Sequence, residues 1–268
     1  MGLLTFLSDY GLDDDFVGVC HGVIAQTAPD VRVIDVTHRI ERHHVRAGAL
    51  FLRRALEYMP VGVHLAVVDP EVGGQRRAVA LLCGSGAGAC LLVGPDNGLL
   101  WLAAERLGGV REASDIGHSP LRREPVSATF HGRDIFAPVA AHLAAGTPLA
   151  LVGEPLDPAE LVRLELPRAQ VTADGVVAHL LQADRFGNVK LDAEVEDLAA
   201  AGLRRGEPVM VGERIAYFGM TYADVPPGEL LLYEDSYRVV SLAVNRGSAL
   251  GALGLRLDDE IVLAPPAP

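Results

Sequence analysis

Residues 3–36 read LLTFLSDYGLDDDFVGVCHGVIAQTAPDVRVIDV, and this stretch decides the fold. Leu3–Leu7 is a short continuous apolar run that stops at Ser8-Asp9. Phe16–Ala25 spaces its apolar residues as a helix does, and Val31–Val36 is a β-branched run. A strand, a helix and a second strand, with strands apolar throughout, predict an α/β domain whose sheet is mostly parallel and covered on both faces. The alternation continues outward. Val45–Tyr58 carries a helical period and His64–Val68 is a third strand, apolar after His64. Ala78–Cys83 and Cys90–Val93 predict a hairpin around Gly84–Gly88, and Asn97–Arg106 and Ile135–Ala145 predict further helices. The α/β domain is expected over residues 1–150.

The pattern changes after that point. Pro148, Pro155, Pro158 and Pro167 fall close together and predict a linker over 151–170. From Val171 the helical period nearly vanishes. Short strands take over at Val176–Leu181, Asn188–Leu191, Pro208–Val211, Ile215–Phe218, Leu230–Tyr233, Val239–Val244 and Ile261–Leu263. Turn signals such as Asp174-Gly175 and Pro226-Pro227-Gly228 separate them, which predicts an all-β, barrel-like domain over 171–264.

Composition narrows the function classes. The chain has 23 basic and 35 acidic residues, a net charge of −12, which argues against a nucleic-acid partner. No run approaches the roughly 18 apolar residues of a membrane span, so no membrane partner is expected. The apolar start lacks a basic leader and is expected to be a strand, not a signal peptide. Cys20, Cys83 and Cys90 have no CxxC spacing, and so sparse and odd a set reads as reduced and cytoplasmic.

Polar residues gather at strand ends. Ser8-Asp9-Tyr10-Gly11 follows the first strand, and Asp13-Asp14-Asp15 precedes the first helix. One of these aspartates is expected to cap that helix. Four carboxylates in seven residues exceed that need and would suit a diol and an ammonium group, or a divalent metal. Asp69 ends the third strand and leads through Gly73-Gly74 to Arg76 and Arg77. Arg76 pairing with Asp69 would suffice to stiffen the turn, and a strand-tip carboxylate beside arginine also suits a site. His131-Gly132 stands before Asp134 at a helix entrance, with Asp134 expected as its cap or first-turn residue. His38, His43 and His44 lack HxxxH or HExxH spacing, so no metal is expected there. Gly84–Gly88 fails the GxGxxG pattern, and no GxSxG elbow or P-loop lysine motif occurs.

Eight motifs in order resemble the SAM hydroxide adenosyltransferase family, relatives of the enzymes that make fluorinated and chlorinated adenosine from S-adenosylmethionine (SAM). They are Ser8-Asp9-Tyr10-Gly11, Asp35-Val36-Thr37-His38, Val67-Val68-Asp69-Pro70 with its arginine, Gly94-Pro95-Asp96-Asn97-Gly98 and Phe130-His131-Gly132-Arg133-Asp134. Asp184-Arg185-Phe186-Gly187-Asn188, Tyr222-x-Asp224-Val225-Pro226-Pro227-Gly228-Glu229 and Ala243-Val244-Asn245-Arg246-Gly247-Ser248 complete the set. The resemblance implies an N-terminal α/β domain, a C-terminal β-barrel and a homotrimer with sites between subunits. It implies that Asp69, Arg76 and His131 handle a nucleophilic water. It also implies Asp9 for the ribose diol, Asp14, Asp184 and Ser236 for the methionine end, and Asn188 and Tyr222 for adenine. Three places depart from the family pattern: Glu71 replaces glycine, Arg42-His43-His44 replaces Pro-x-Asp, and Asp235 replaces asparagine.

The implied reaction is hydrolysis of SAM to adenosine and L-methionine, with SAM as substrate and no cofactor. His131 is expected as the general base, held by Arg76 and Asp69. A halide-using SAM transferase is the alternative within the same fold, although halide-delivering relatives lack the trio. A non-catalytic SAM or adenosine sensor would need the pocket without the trio. A metal-dependent hydrolase would use the Asp13–Asp15 cluster.

Overall fold

In the computed structural model, which describes residues 2–266, Leu3–Ser8 forms β1 and lies inside a seven-stranded sheet. β2 (Arg32–Thr37) and β3 (Val63–Val67) run parallel on either side of it. β4 (Ala78–Cys83) and β5 (Cys90–Pro95) form the hairpin expected around the glycines, and β5 runs parallel to β3. β6 (Val110–Asp115) and β7 (Glu154–Leu156) extend the sheet antiparallel beyond β4. The order is therefore β2-β1-β3-β5-β4-β6-β7, parallel on the β1 side and antiparallel on the β4 side.

Four helices cover this sheet: α1 (Phe16–Thr27), α2 (Val45–Ala55), α3 (Trp101–Arg106) and α4 (Ala137–Ala144). Alternation along the strands assigns each side chain to a face. Leu4, Phe6, Val63, Leu65 and Val67 pack with α1 and α4. Leu7, Ala66 and Val68 pack with α2 and α3. Both faces are buried, which is why these strands carry almost no polar residues. Besides Thr5 and Ser8, His64 is an exception. Its Nδ1 lies 2.9 Å from Thr5 Oγ1 on the neighbouring strand, and burial pulls its pKa down to about 4.

The chain divides into two units, Met1–Leu164 and Glu165–Pro268. The stretch expected as a linker is shared between them. β7 joins the first sheet, Leu161 is buried, and Val162 N–H donates to Asp96 Oδ1 at 2.9 Å. Arg77 ties Asp96 to Glu160, so residues up to Leu164 pack on the first unit.

The second unit contains β8 (Gln170–Thr172), β9 (Gly175–Ala183), β10 (Val189–Leu191) and β11 (Pro208–Val211). β12 (Arg214–Phe218), β13 (Leu230–Glu234), β14 (Val240–Val244) and β15 (Glu260–Ala264) follow. The order β10-β14-β13-β12-β11-β15-β9 closes on itself, because β9 also pairs with β10. Seven strands thus make a barrel, and β8 pairs with the start of β9. Val176, Ala178 and Leu180 alternate into its core. Two helices escape the sequence pattern, α5 (Val195–Ala200) and α6 (Ala249–Leu253), which add Leu198 and Ala249 to that core. Each is under two turns long, too short to display a period. Their signals were the caps: the Glu194/Asp197 box, and Ser248 accepting from Gly251 N–H at 3.1 Å.

Cys20, Cys83 and Cys90 are buried free thiols. Burial pushes Cys20 and Cys83 up to about 12, which makes them poor nucleophiles.

Candidate active site

Ser8 pairs with Val67, so β1 and β3 end side by side and Asp9 and Asp69 leave the same carboxyl edge. Ligands of open α/β sheets bind at such edges. After β3 the chain turns back on itself, with Val72 N–H donating to Asp69 O at 3.3 Å and Gly74 N–H to Glu71 O at 2.9 Å. Gly73 has φ +77° and lies against the Ala128 carbonyl, a place no Cβ could occupy. The turn returns Arg76 to Asp69. Its Nε donates to Oδ1 at 2.9 Å and its Nη2 to Oδ2, a bidentate pair with both side chains only 5% exposed. The guanidinium sits 5.2 Å from the Phe136 ring centroid, and Nη2 also donates to His131 Nδ1 at 2.8 Å. Asp69, Arg76 and His131 are therefore in contact.

His131 opens a π-helical turn, Gly132–Phe136, that runs into α4. Such turns recur at functional sites. Asp134, expected as a cap or first-turn residue, lies in the first turn and serves as an anchor. Its Oδ2 accepts from Ser127 N–H at 2.8 Å, and Arg133 Nε donates to Oδ1 at 2.6 Å. Burial alone would raise this carboxyl, but Arg133 and Ser127 together hold it below the usual range. Gly132 is required by its neighbour, since a Cβ would strike the Tyr10 hydroxyl.

Tyr10 is the residue that motif reading passed over. Its ring packs edge-on against Phe6 and Phe130 and tilted against Phe16. Its pKa is raised by burial first, then by Cys20, Asp9 and Asp69, with Arg76 opposing. A protonated phenol thus stands within the field of the trio. The absence of a side chain at Gly132 was the one available signal for it.

The trio also fixes a tautomer. Arginine only donates, so His131 Nδ1 accepts, and the neutral ring carries its proton on Nε2. Burial and then Arg76 lower the His131 pKa, while Asp69 and Asp134 partly offset them.

The other first-unit candidates differ in setting. Asp9 is half-buried and its Oδ2 accepts from His43 N–H at 3.0 Å. His44 caps α2, its Nδ1 accepting from Ala47 N–H at 3.0 Å. Asp14 is exposed. Asp15 holds the cap position of α1 without a side-chain bond, so the expected aspartate cap does not form.

In the second unit, Asp184 closes a tight turn. Its Oδ1 accepts from Phe186 N–H at 2.8 Å and Asn188 N–H at 3.0 Å. Its Oδ2 accepts from Asn188 Nδ2 at 2.8 Å. Asn188 Nδ2 reaches the Tyr222 hydroxyl at 3.3 Å, which lies 3.0 Å from the Tyr233 hydroxyl. Burial first, and then Tyr222, raise the Tyr233 pKa. Gly187, at φ +81°, leaves room for Ser248. A groove of about 700 Å³ runs along residues 221–227, Asn245 and Arg246, so Tyr222 forms part of its wall. Ser236 lies exposed in the loop after β13, beside Asp235, which pairs with Lys190. Asp184, Asn188 and Tyr222 thus form one network that does not include Ser236.

Known proteins resemble this chain along most of its length. Residues 4–153 match the SAM hydroxide adenosyltransferase N-terminal domain and residues 178–262 match its C-terminal domain. A Salinispora tropica protein named (R)-S-adenosyl-L-methionine hydrolase is 49% identical over 261 residues, covering 96% of each chain. A fluorinase from Actinopolyspora mzabensis is 31% identical over 276 residues, covering 92% of this chain and 91% of that one. A crystal structure of an uncharacterized conserved protein from Thermotoga maritima superposes with a TM-score of 0.88. It is 36% identical and covers 97% of this chain and all of its own.

Proposed function

Because the chain belongs to the SAM hydroxide adenosyltransferase family, we propose that it hydrolyses SAM to adenosine and L-methionine. The observation that carries this reading is the contact of Asp69, Arg76 and His131 at the carboxyl edge of the sheet. Water attacks C5′, the C5′–S bond breaks with its electron pair going to sulfur, and methionine leaves as a neutral thioether. Arg76 stabilises the oxygen as it gains hydroxide character, and Asp69 fixes the guanidinium. His131 orients the water from Nε2–H. To take the proton, the ring gives up its Arg76 contact and turns Nδ1 to the water, so proton transfer from water to His131 is coupled to release of that contact. Holding water in line with the C5′–S bond contributes the proximity part of the rate.

Asp9 serves the ribose diol, Asp14, Asp184 and Ser236 the methionine end, and Asn188 and Tyr222 adenine. No metal or cofactor enters the reaction. The working assembly is a homotrimer with sites between subunits, a closed cyclic arrangement that lets neighbours complete each other's pockets. The cytoplasm is the compartment, a reading supported by the three free thiols. The substrate is the (R) sulfonium epimer, a reading supported by the name of the Salinispora relative.

The test uses purified protein with mixed SAM epimers in heavy-oxygen water, with chelator present. The expected outcome is consumption of the (R) epimer, one label in adenosine and none in methionine. S-adenosylhomocysteine as main product, or a strict metal requirement, would refute the reading. 5′-Chloro-5′-deoxyadenosine as main product in chloride buffer would favour the halide transferase.

A further inference from the structure

Asp35 and His38 are three residues apart at the end of β2, a spacing that sends side chains to opposite faces of a regular strand. The β1–β2 register breaks between them. Phe6 pairs with Asp35 and Leu7 with Thr37, so Val36 has no partner opposite. This bulge re-aims the side chains that follow it. Asp35 and His38 come together, and α1 brings His21 to the same point. His21 Nε2 lies 2.9 Å from Asp35 Oδ1, and His38 Nε2 lies 3.0 Å from the same oxygen. One ligand atom from each of the three falls within 4.8 Å of the others.

His38 supplies an independent observation. Its side chain is 3% exposed, and its Nδ1 lies 2.8 Å from Ser8 Oγ. Its Nε2 is buried without a hydrogen-bond partner, although Asp35 Oδ1 lies 3.0 Å away. His21 Nε2 is hydrogen-bonded to Asp35 Oδ1, a bond that an ion would replace, whereas His38 Nε2 carries none. With Ser8 accepting the Nδ1 proton, the Nε2 lone pair is left for an ion. The Phe6 ring packs against both imidazoles, at centroid distances of 4.6 Å to His38 and 6.1 Å to His21. His21 and Asp35 are 34% and 45% exposed, which gives an ion a path in and room for water.

We propose that His21, Asp35 and His38 form a site for a divalent transition-metal ion of the zinc class, with water completing its coordination. Two imidazole nitrogens and one carboxylate disfavour magnesium and calcium, which prefer oxygen ligands. None of the trio is a ligand, so the site stands independently of the SAM reading. Its effect is to tie α1 to the edge strand and, through Ser8, to steady the turn that carries Asp9.

The experiment is a cobalt titration of metal-stripped, full-length protein, followed by absorption spectroscopy. A one-to-one complex with the visible bands of low-coordinate Co²⁺, displaced by Zn²⁺, is expected. Asp35→Asn and His21→Gln are both partly exposed, and each should keep the native circular dichroism while weakening binding more than about tenfold. No cobalt binding by the wild-type protein, or unchanged binding in either variant, would overturn the proposal.

Discussion

Arg76 gathers Asp69 from seven residues away and His131 from 55 residues away, whereas Asp184 finds its partners within four residues. The first constellation is assembled by the fold: two parallel strand ends, a returning turn and a π-helical turn must all be in place. The second is assembled by a local turn that the sequence specifies almost alone. A long-range cluster should fail as a unit when one member is removed. A local turn should lose its contacts one at a time.

Arg76→Met should give the largest effect. It strands the Asp69 carboxylate in a place that is 5% exposed, which costs about 3–5 kcal/mol when one partner of a buried pair is lost. Turnover should collapse with it. Urea denaturation checks the first claim, and a loss under about 1 kcal/mol would mean that solvent already replaces Arg76. His131→Ala should lower kcat by about 10²–10⁴-fold while calorimetry finds SAM affinity within a few-fold. In the Arg76→Met background the same change should cost little more, because the two act together. Additive losses would break the contrast with the turn.

Two histidines with lowered pKa sharpen the comparison through pH. His131 is neutral at pH 7, and protonation puts a proton on Nδ1 that faces the Arg76 donor. Turnover should therefore fall in acid, with a midpoint below the ordinary histidine value of about 6.5. His64 affects folding instead. The unfolded chain binds its proton below about 6.5, the folded chain only below about 4. The unfolded state holds more protons in that window, so stability falls as pH falls through it, by about 3 kcal/mol in all. His64→Gln should lose that much less between pH 7 and pH 4. Equal slopes for the two proteins would assign the acid sensitivity elsewhere.

How much of this was legible follows from the same contrast. Buried strands such as Leu3–Ser8 and Pro208–Val211 announced themselves, because burial on one or both faces constrains composition residue by residue. The Asp184 turn was legible for the same local reason. Motif resemblance brought out Asp69, Arg76 and His131, but no local signal could show that Arg76 occupies His131 Nδ1, a matter of three-dimensional geometry. Tyr10 lies within a motif, but its surroundings come from α1 and the π-helical turn, so no local pattern marks it. His21, Asp35 and His38 stayed hidden because a bulge and a helix join them, and no spacing rule covers that.

Asp184→Ala tests the local side directly. It leaves the Asn188 N–H and amide nitrogen without their carboxylate, in a residue that is buried. The cost should be about 1–3 kcal/mol, with SAM binding weakened and kcat at saturation nearly unchanged. A kcat loss as large as that of His131→Ala would show that the turn shares the chemistry and does not merely hold the ligand.

The smallest effect is expected from Tyr222→Phe. The change removes one hydroxyl that meets Tyr233 and Asn188, and leaves a ring that is 44% exposed. Part of the lost bonding is recovered from water, so the cost should stay at about 0.5–1.5 kcal/mol. If the ring contacts adenine and the hydroxyl only steadies Asn188, SAM affinity should fall a few-fold in Tyr222→Phe and much further in Tyr222→Ala. Calorimetry on the pair separates the two roles. Equal losses would assign binding to the hydroxyl, and no loss in either would remove Tyr222 from the adenine site and leave its contact with Asn188 a purely structural one.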